Sequence, residues 1–220
     1  MKNNKKVLII VSHPDDAELA MGMRIVDFVS KGYEVFVHCL SQGSVNDPKI
    51  KETRIGECKK AKEILEIKEY TFADITDTQF VAERVKINQE LFNVMQRIRP
   101  NIVFTHYPED QHLDHRITSE EVLVVAEREV PNIIYFQSPY TKNMKVNSYF
   151  FGNNKLMQKK QLALECFESQ KQFNIKIVKD YSSIAYYQLL HHRIIRDVNN
   201  QLNSDPIFAE FYSIERQIEF

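Results

Sequence analysis

Apolar residues follow two rhythms along this chain. Short unbroken runs at 7–12, 33–40, 70–72, 101–105 and 132–136 are rich in β-branched, leucine and aromatic side chains, and most do not alternate with polar ones. That is the pattern of strands covered on both faces. Between them, 17–29, 49–67, 81–99 and 116–129 place apolar residues at helical spacing. Lys31-Gly32 and Pro100 supply stop signals, and 73–80 reads as a polar connection. Strand and helix therefore alternate five times. This predicts an α/β fold: a doubly wound, mostly parallel sheet in three α/β/α layers with Rossmann-like layering and right-handed crossovers. Past Ser138 the rhythm loosens: 149–151 reads as an extra edge strand, and 154–173 and 181–200 as helices. With no repeat or linker, residues 1–220 are expected to form one domain.

Composition narrows the class. Hydrophobic residues make up 43% and charged ones 27%, ordinary globular usage. A net charge of -1 gives no reason to expect a nucleic-acid partner, which would need a basic surface. Cys39, Cys58 and Cys166 are an odd number without a pairing motif, which points to a reducing compartment. The first apolar run is too short for a signal peptide or a membrane span, so a cytoplasmic protein is expected. Only five glycines occur, and no Gly-x-Gly-x-x-Gly follows the first strand, which argues against a dinucleotide site. A homo-oligomer is compatible with this composition.

The chemistry sits where two strands stop. Val7 to Ser12 ends abruptly at His13-Pro14-Asp15-Asp16, since proline cannot join a ladder and keeps the residue before it out of the helical region. Asp15 or Asp16 is a natural cap for the helix that follows. A second strand, Asn101 to Thr105, runs into His106-Tyr-Pro-Glu-Asp-Gln-His-Leu-Asp-His115, three of the chain's seven histidines within ten residues. In a doubly wound sheet such strand ends face one crevice. His13, Asp16 and His115 then offer the three nitrogen and oxygen ligands of a catalytic zinc. Iron also suits such a set. Asp15 is placed as general base toward a water, with His112 as acid or oxyanion donor oriented and kept charged by Asp114. These are the parts for hydrolysing an amide. Asp110 is a turn former, a second-shell partner or a hydroxyl acceptor. His106 reads as a strand-end polar residue, and His38, His191 and His192 as structural. By composition alone, Arg54 is a solvated arginine on a charged helix.

Ser12-His-Pro-Asp-Asp-Ala-Glu18 and Pro108-Glu-Asp-Gln-His-Leu-Asp-His115 resemble the two motifs of the LmbE-like, PIG-L type de-N-acetylases, zinc enzymes that remove acetyl groups from N-acetylglucosaminyl compounds. The resemblance implies metal at His13, Asp16 and His115, a base at Asp15, and His112 with Asp114 as the charge-stabilising pair. It also matches Arg54-Ile-Gly-Glu-Cys-Lys-Lys-Ala61 to a segment whose arginine contacts substrate hydroxyls, which overrides the solvated reading. Ala163 to Gln170 and Ala209-Glu-Phe211 look like further family segments. Ser12, Gly22-Met23 and Phe167 depart from the family's usual alanine, glycine pair and histidine. The implied substrate is a small-molecule amino sugar. The alternatives are a zinc hydrolase of another amide or ester, and a sugar-binding protein without catalysis.

Overall fold

A computed structural model describes residues 5–170 and 208–218. Five parallel strands come first in the chain: β1 (Lys6–Val11), β2 (Glu34–Ser41), β3 (Glu69–Ile75), β4 (Ile102–His106) and β5 (Asn132–Phe136). The helices joining them are α1 (Asp16–Ser30), α2 (Pro48–Leu65), α3 (Arg84–Ile98) and α4 (Leu113–Glu129). They are followed by β6 (Ser148–Gly152), α5 (Asn154–Leu164) and β7 (Phe208–Arg216). The sheet order is β3-β2-β1-β4-β5-β7-β6, with β7 antiparallel to both β5 and β6. The order reverses between β1 and β4, which makes that pair the topological switch point.

The burial of β1 shows why the run did not alternate. Val7, Ile9 and Val11 pack into one core with residues of α1, α2 and α5, while Leu8 and Ile10 face the other with α3 and α4. Both faces of the strand are covered, as the sequence requires of a parallel sheet. The three-layer expectation holds.

Several element bounds differ from expectation. β3 continues to Ile75 because Ala73 and Ile75 are buried, so the connection begins later. α5 stops at Leu164, turns replace the expected helix as far as residue 170, and this segment is fastened to α2 by Glu57, which accepts from both Ser169 N and Ser169 Oγ at 2.7 Å. β7 was not anticipated, since a buried glutamate, Glu210, interrupts its apolar run. The expected helix at 181–200, with His191 and His192, lies outside the described residues.

α1 is kinked at Met21 (φ -143°, ψ 27°). The amides freed by the kink are taken by Glu210 of β7, which accepts from Met23 N at 3.0 Å and Arg24 N at 2.9 Å. Lys160 of α5 completes the group, its Nζ 2.8 Å from Glu210 Oε1. A side chain at Gly22 would meet the Lys160 stem, because a Cβ there falls 2.7 Å from Lys160 Cγ. No helix among the described residues is long and apolar enough to cross a membrane.

Candidate metal centre

His13 lies two residues past the end of β1 and His106 is the last residue of β4, so the two paired strands deliver both imidazoles to the same crevice. Helices α1 and α4 begin there too. Asp16 opens α1, His112 stands at the cap of α4, and Asp114 and His115 lie in its first turn. Asp15 occupies the cap position of α1 in the left-handed region (φ 90°, ψ -23°), and its side chain makes no capping bond. A non-glycine residue held there stores about 1–3 kcal/mol of strain. The expectation of an aspartate cap is thus corrected: Asp16 Oδ2 instead accepts from His13 N at 2.8 Å, which tightens the turn.

The left-handed turn sends the two aspartates to different partners. Asp15 Oδ2 receives Arg54 Nη2 at 2.8 Å, and the same nitrogen donates to Pro14 O at 2.6 Å. Asp16 sits among imidazoles: Oδ2 lies 3.7 Å from His13 Nδ1 and 3.3 Å from His106 Nε2, and Oδ1 lies 3.5 Å from His115 Nε2. Burial disfavours the charge of Asp16, but His115 and His13 act against it, and the carboxyl is held well below the usual carboxylate range. Asp15 moves the other way, pushed up by burial and by the charge of Asp16 against the pull of Arg54. One neighbour is a fixed anion and the other a group that can take a proton.

Nitrogen and oxygen donors converge at Asp16, and the donor chemistry fits a divalent cation. His13 Nδ1 and His115 Nε2 flank the carboxylate at 3.7 and 3.5 Å, too long for good hydrogen bonds. Among the described residues, His13, His112 and His115 form one group compatible with a metal, Asp16, His106 and His115 a second, and His13, Asp77 and Asp114 a third. The second makes His106 a neighbour of the cluster rather than an isolated strand-end residue. Yet His106 Nε2 accepts the Ser12 amide at 3.1 Å, and a neutral imidazole has one in-plane lone pair. Burial, helped by the charge of His115, lowers its pKa to about 4, so it stays neutral against the cluster.

Asp114 does not pair with His112. Its Oδ2 lies 3.2 Å from His13 Nε2 and accepts from Thr78 N at 2.9 Å. His112 Nδ1 has no partner, and burial together with His13 and His115 lowers its pKa while Asp114 acts in the opposite sense. The two rings stack with centroids 4.6 Å apart, His112 half-exposed above buried His115. Asp110 lies beneath the cluster: Oδ2 is 3.3 Å from His115 Nδ1 and accepts from Ser138 Oγ at 2.5 Å. Its side chain is not open to a ligand. Arg54 is 6% exposed and turned onto Asp15.

Asp77 had no place in the sequence reading. Its Oδ1 is 3.2 Å from His13 Nε2. The available signal was topological, because the loop after β3 opens on the same side of the sheet as His13 and His115.

A doubly wound α/β protein with a histidine–aspartate cluster that could hold a metal at its switch point is the class these features define. The GlcNAc-PI de-N-acetylase (PIG-L) family model matches residues 8–126, more than half of the chain and both clusters, and the chain belongs to that family. Diacetylchitobiose deacetylase of Thermococcus kodakarensis is 32% identical over 122 residues, covering 51% of this chain and 45% of that protein. A probable N-acetyl-α-D-glucosaminyl L-malate deacetylase of Bacillus anthracis is 27% identical over 134 residues, covering 56% and 59%. The chain thus spans about half the length of these curated relatives. In fold, 98% of the chain superposes on 98% of GalB, the 4-carboxy-2-hydroxymuconate hydratase of Pseudomonas putida KT2440, with a TM-score of 0.79 at 20% identity.

Proposed function

We propose that this protein is a metal-dependent de-N-acetylase that hydrolyses the acetamide of an N-acetylated amino sugar and releases acetate. The observation that carries the reading is the opposed placement of Asp15 and Asp16. A carboxylate fixed among imidazoles suits a cation, and a strained, proton-accepting carboxyl next to it suits a general base. The two deacetylases named above as relatives support the sugar substrate.

His13, Asp16 and His115 would hold the metal, with zinc the preferred ion and Fe2+ an acceptable one. Zinc, when bound, polarises the amide carbonyl and brings the pKa of a water to about 7. The residues of this chain do the rest. Asp15 takes the proton of the attacking water, while Arg54 holds one of its oxygens and keeps it aimed. His112, on the open side of the cluster, donates a hydrogen bond to the oxygen on which negative charge develops. The amine leaves with the proton that Asp15 collected. Asp110 orients His115, so its role is support of a ligand rather than contact with sugar. The free cysteines support a cytoplasmic setting.

Acetate release across free, nucleotide-linked and lipid-linked N-acetylglucosamine, set against simple amides, esters and an unsaturated dicarboxylate, tests the reading. Turnover is expected on at least one amino sugar, lost to a chelator and restored by a divalent metal. Hydration of the unsaturated acid without acetate release would favour the chemistry named for GalB.

A further inference from the structure

The ring of Tyr140 stands in the open beside the cluster. Its centroid is 6.1 Å from that of His112 and 6.3 Å from that of His115, inclined at 60° and 63°, and the residue is 52% exposed. A single exposed aromatic is ordinary on a protein surface. Tyr140 differs in how firmly its backbone is held. It lies past the carboxyl end of β5, in a turn clamped to the segment that carries His112: Gln111 N donates to Tyr140 O at 2.9 Å, Lys142 N donates to Glu109 O at 2.7 Å, and Asp110 and Thr141 form an antiparallel bridge. Within the turn, Tyr140 N donates to Ser138 Oγ at 3.0 Å. Asp110 links the turn to the cluster, since the oxygen that lies 3.3 Å from His115 Nδ1 also accepts from Ser138 Oγ and Thr141 Oγ1. The ring is thus presented at a fixed distance from the two histidines. A tyrosine, with only two side-chain torsions, also loses little entropy when a ligand settles on it.

What lies next to the ring defines the ligand. In the proposed reaction His112 holds the acetamide oxygen, and the amide nitrogen is two bonds from that oxygen. Whatever the nitrogen carries therefore begins within a few bond lengths of His112, in reach of the Tyr140 face. In an amino sugar that group is a pyranose. The C–H bonds on one face of a pyranose present a weakly positive, apolar surface to the negative face of an aromatic ring, while the hydroxyls around its edge stay in water. Tyrosine suits such a rim, being apolar across its face and polar at its tip. We infer that Tyr140 is a specificity-determining residue on which the sugar ring of the substrate stacks. The inference rests on the deacetylase reading above.

The test compares acetate release by the metal-loaded full chain from N-acetylglucosamine and from N-acetylethanolamine, which offers the same acetamide without a ring. Binding of glucosamine is followed separately by saturation-transfer NMR. Tyr140→Ala should lower kcat/KM on the sugar about 10-fold more than on the ringless amide, the scale of one lost aromatic stack with its buried area, and the loss should sit in KM. Glucosamine should bind more weakly by a similar factor. Tyr140→Phe, which keeps the ring face and drops the hydroxyl, should behave like the parent, and the melting temperature of both variants should stay near the parent's. Equal losses on the two amides would overturn the inference, as would parent-like kinetics on the sugar in Tyr140→Ala. A loss in Tyr140→Phe as large as in Tyr140→Ala would also overturn it, by assigning the effect to the hydroxyl. If no acetate is released from any amide, yet glucosamine binds to the parent and binds more weakly to Tyr140→Ala, the inference stands and the proposed reaction falls. A parent that neither binds glucosamine nor deacetylates the sugar overturns both.

Discussion

The two halves of α1 handle buried charge in opposite ways. After the kink at Met21, Glu210 reaches in from β7 and every group around it is matched: two backbone amides, the Lys160 ammonium at 2.8 Å and Tyr212 OH at 3.1 Å. Before the kink, Asp16 faces imidazole nitrogens at 3.3–3.7 Å, and the Nδ1 atoms of His106 and His112 have no hydrogen-bond partner. The first cluster is complete within the protein, which marks it as structural. The second gathers nitrogen and oxygen donors in sets that could hold a metal, which fits the proposed role as a site. Burial and charge are the same in kind, and completeness of pairing separates architecture from chemistry.

His38 and His13 show a second contrast. His38, inside β2, bonds Thr71 Oγ1 at 2.8 Å, and burial, helped by the charge of Arg97, lowers its pKa to about 4. For His13 burial also acts downward, but Asp114, Asp77 and Asp16 outweigh it and raise the pKa to about 10. Burial keeps His38 neutral, while three carboxylates around His13 favour positive charge at that one ring.

The largest effect expected from breaking this comparison is at Asp15. Asp15→Asn tolerates the left-handed backbone and keeps the shape. It should cost about two to four orders of magnitude in the rate of acetate release, the scale of general-base loss. Metal content by elemental analysis should be unchanged, and near-parent turnover would break the assignment. Next comes the complete cluster. Lys160→Met leaves Glu210 buried without its counter-charge and should destabilise the fold by about 3–5 kcal/mol in urea titration, while turnover per folded molecule holds. A loss below about 1 kcal/mol would mean that the amides and Tyr212 alone satisfy Glu210. The smallest effect sharpens the histidine contrast. Because the folded pKa of His38 is depressed, its contribution is full above the ordinary value of 6.5 and is lost as pH falls toward 4, where the unfolded chain takes up a proton first. The loss amounts to about 3 kcal/mol. Unfolding free energies measured from pH 7.5 to 4.5 should therefore fall less steeply in His38→Val than in the parent.

Much of this molecule was legible before any coordinates. Unbroken apolar runs such as Val7 to Val11 can be buried on both faces only in a covered parallel sheet, and the proline after His13 ends the strand wherever the fold places it. The two polar bursts follow from the same local rules, so His13, Asp16 and His115 could be gathered into one crevice by topology alone. Partnership within the crevice could not. That Asp114 turns to His13 rather than His112, that Asp110 supports His115, and that Asp77 arrives from the loop after β3 all depend on how separate loops meet across the sheet. β7 was hidden for the same reason, since Glu210 looks polar in sequence and becomes buried only when Lys160 and the kinked helix close around it. Sequence determined which elements form and which residues stand at their ends, because those are short-range choices of backbone and hydrophobic period. Tertiary structure decided which charges meet, because a pairing energy exists only once distant segments have brought its two partners within reach.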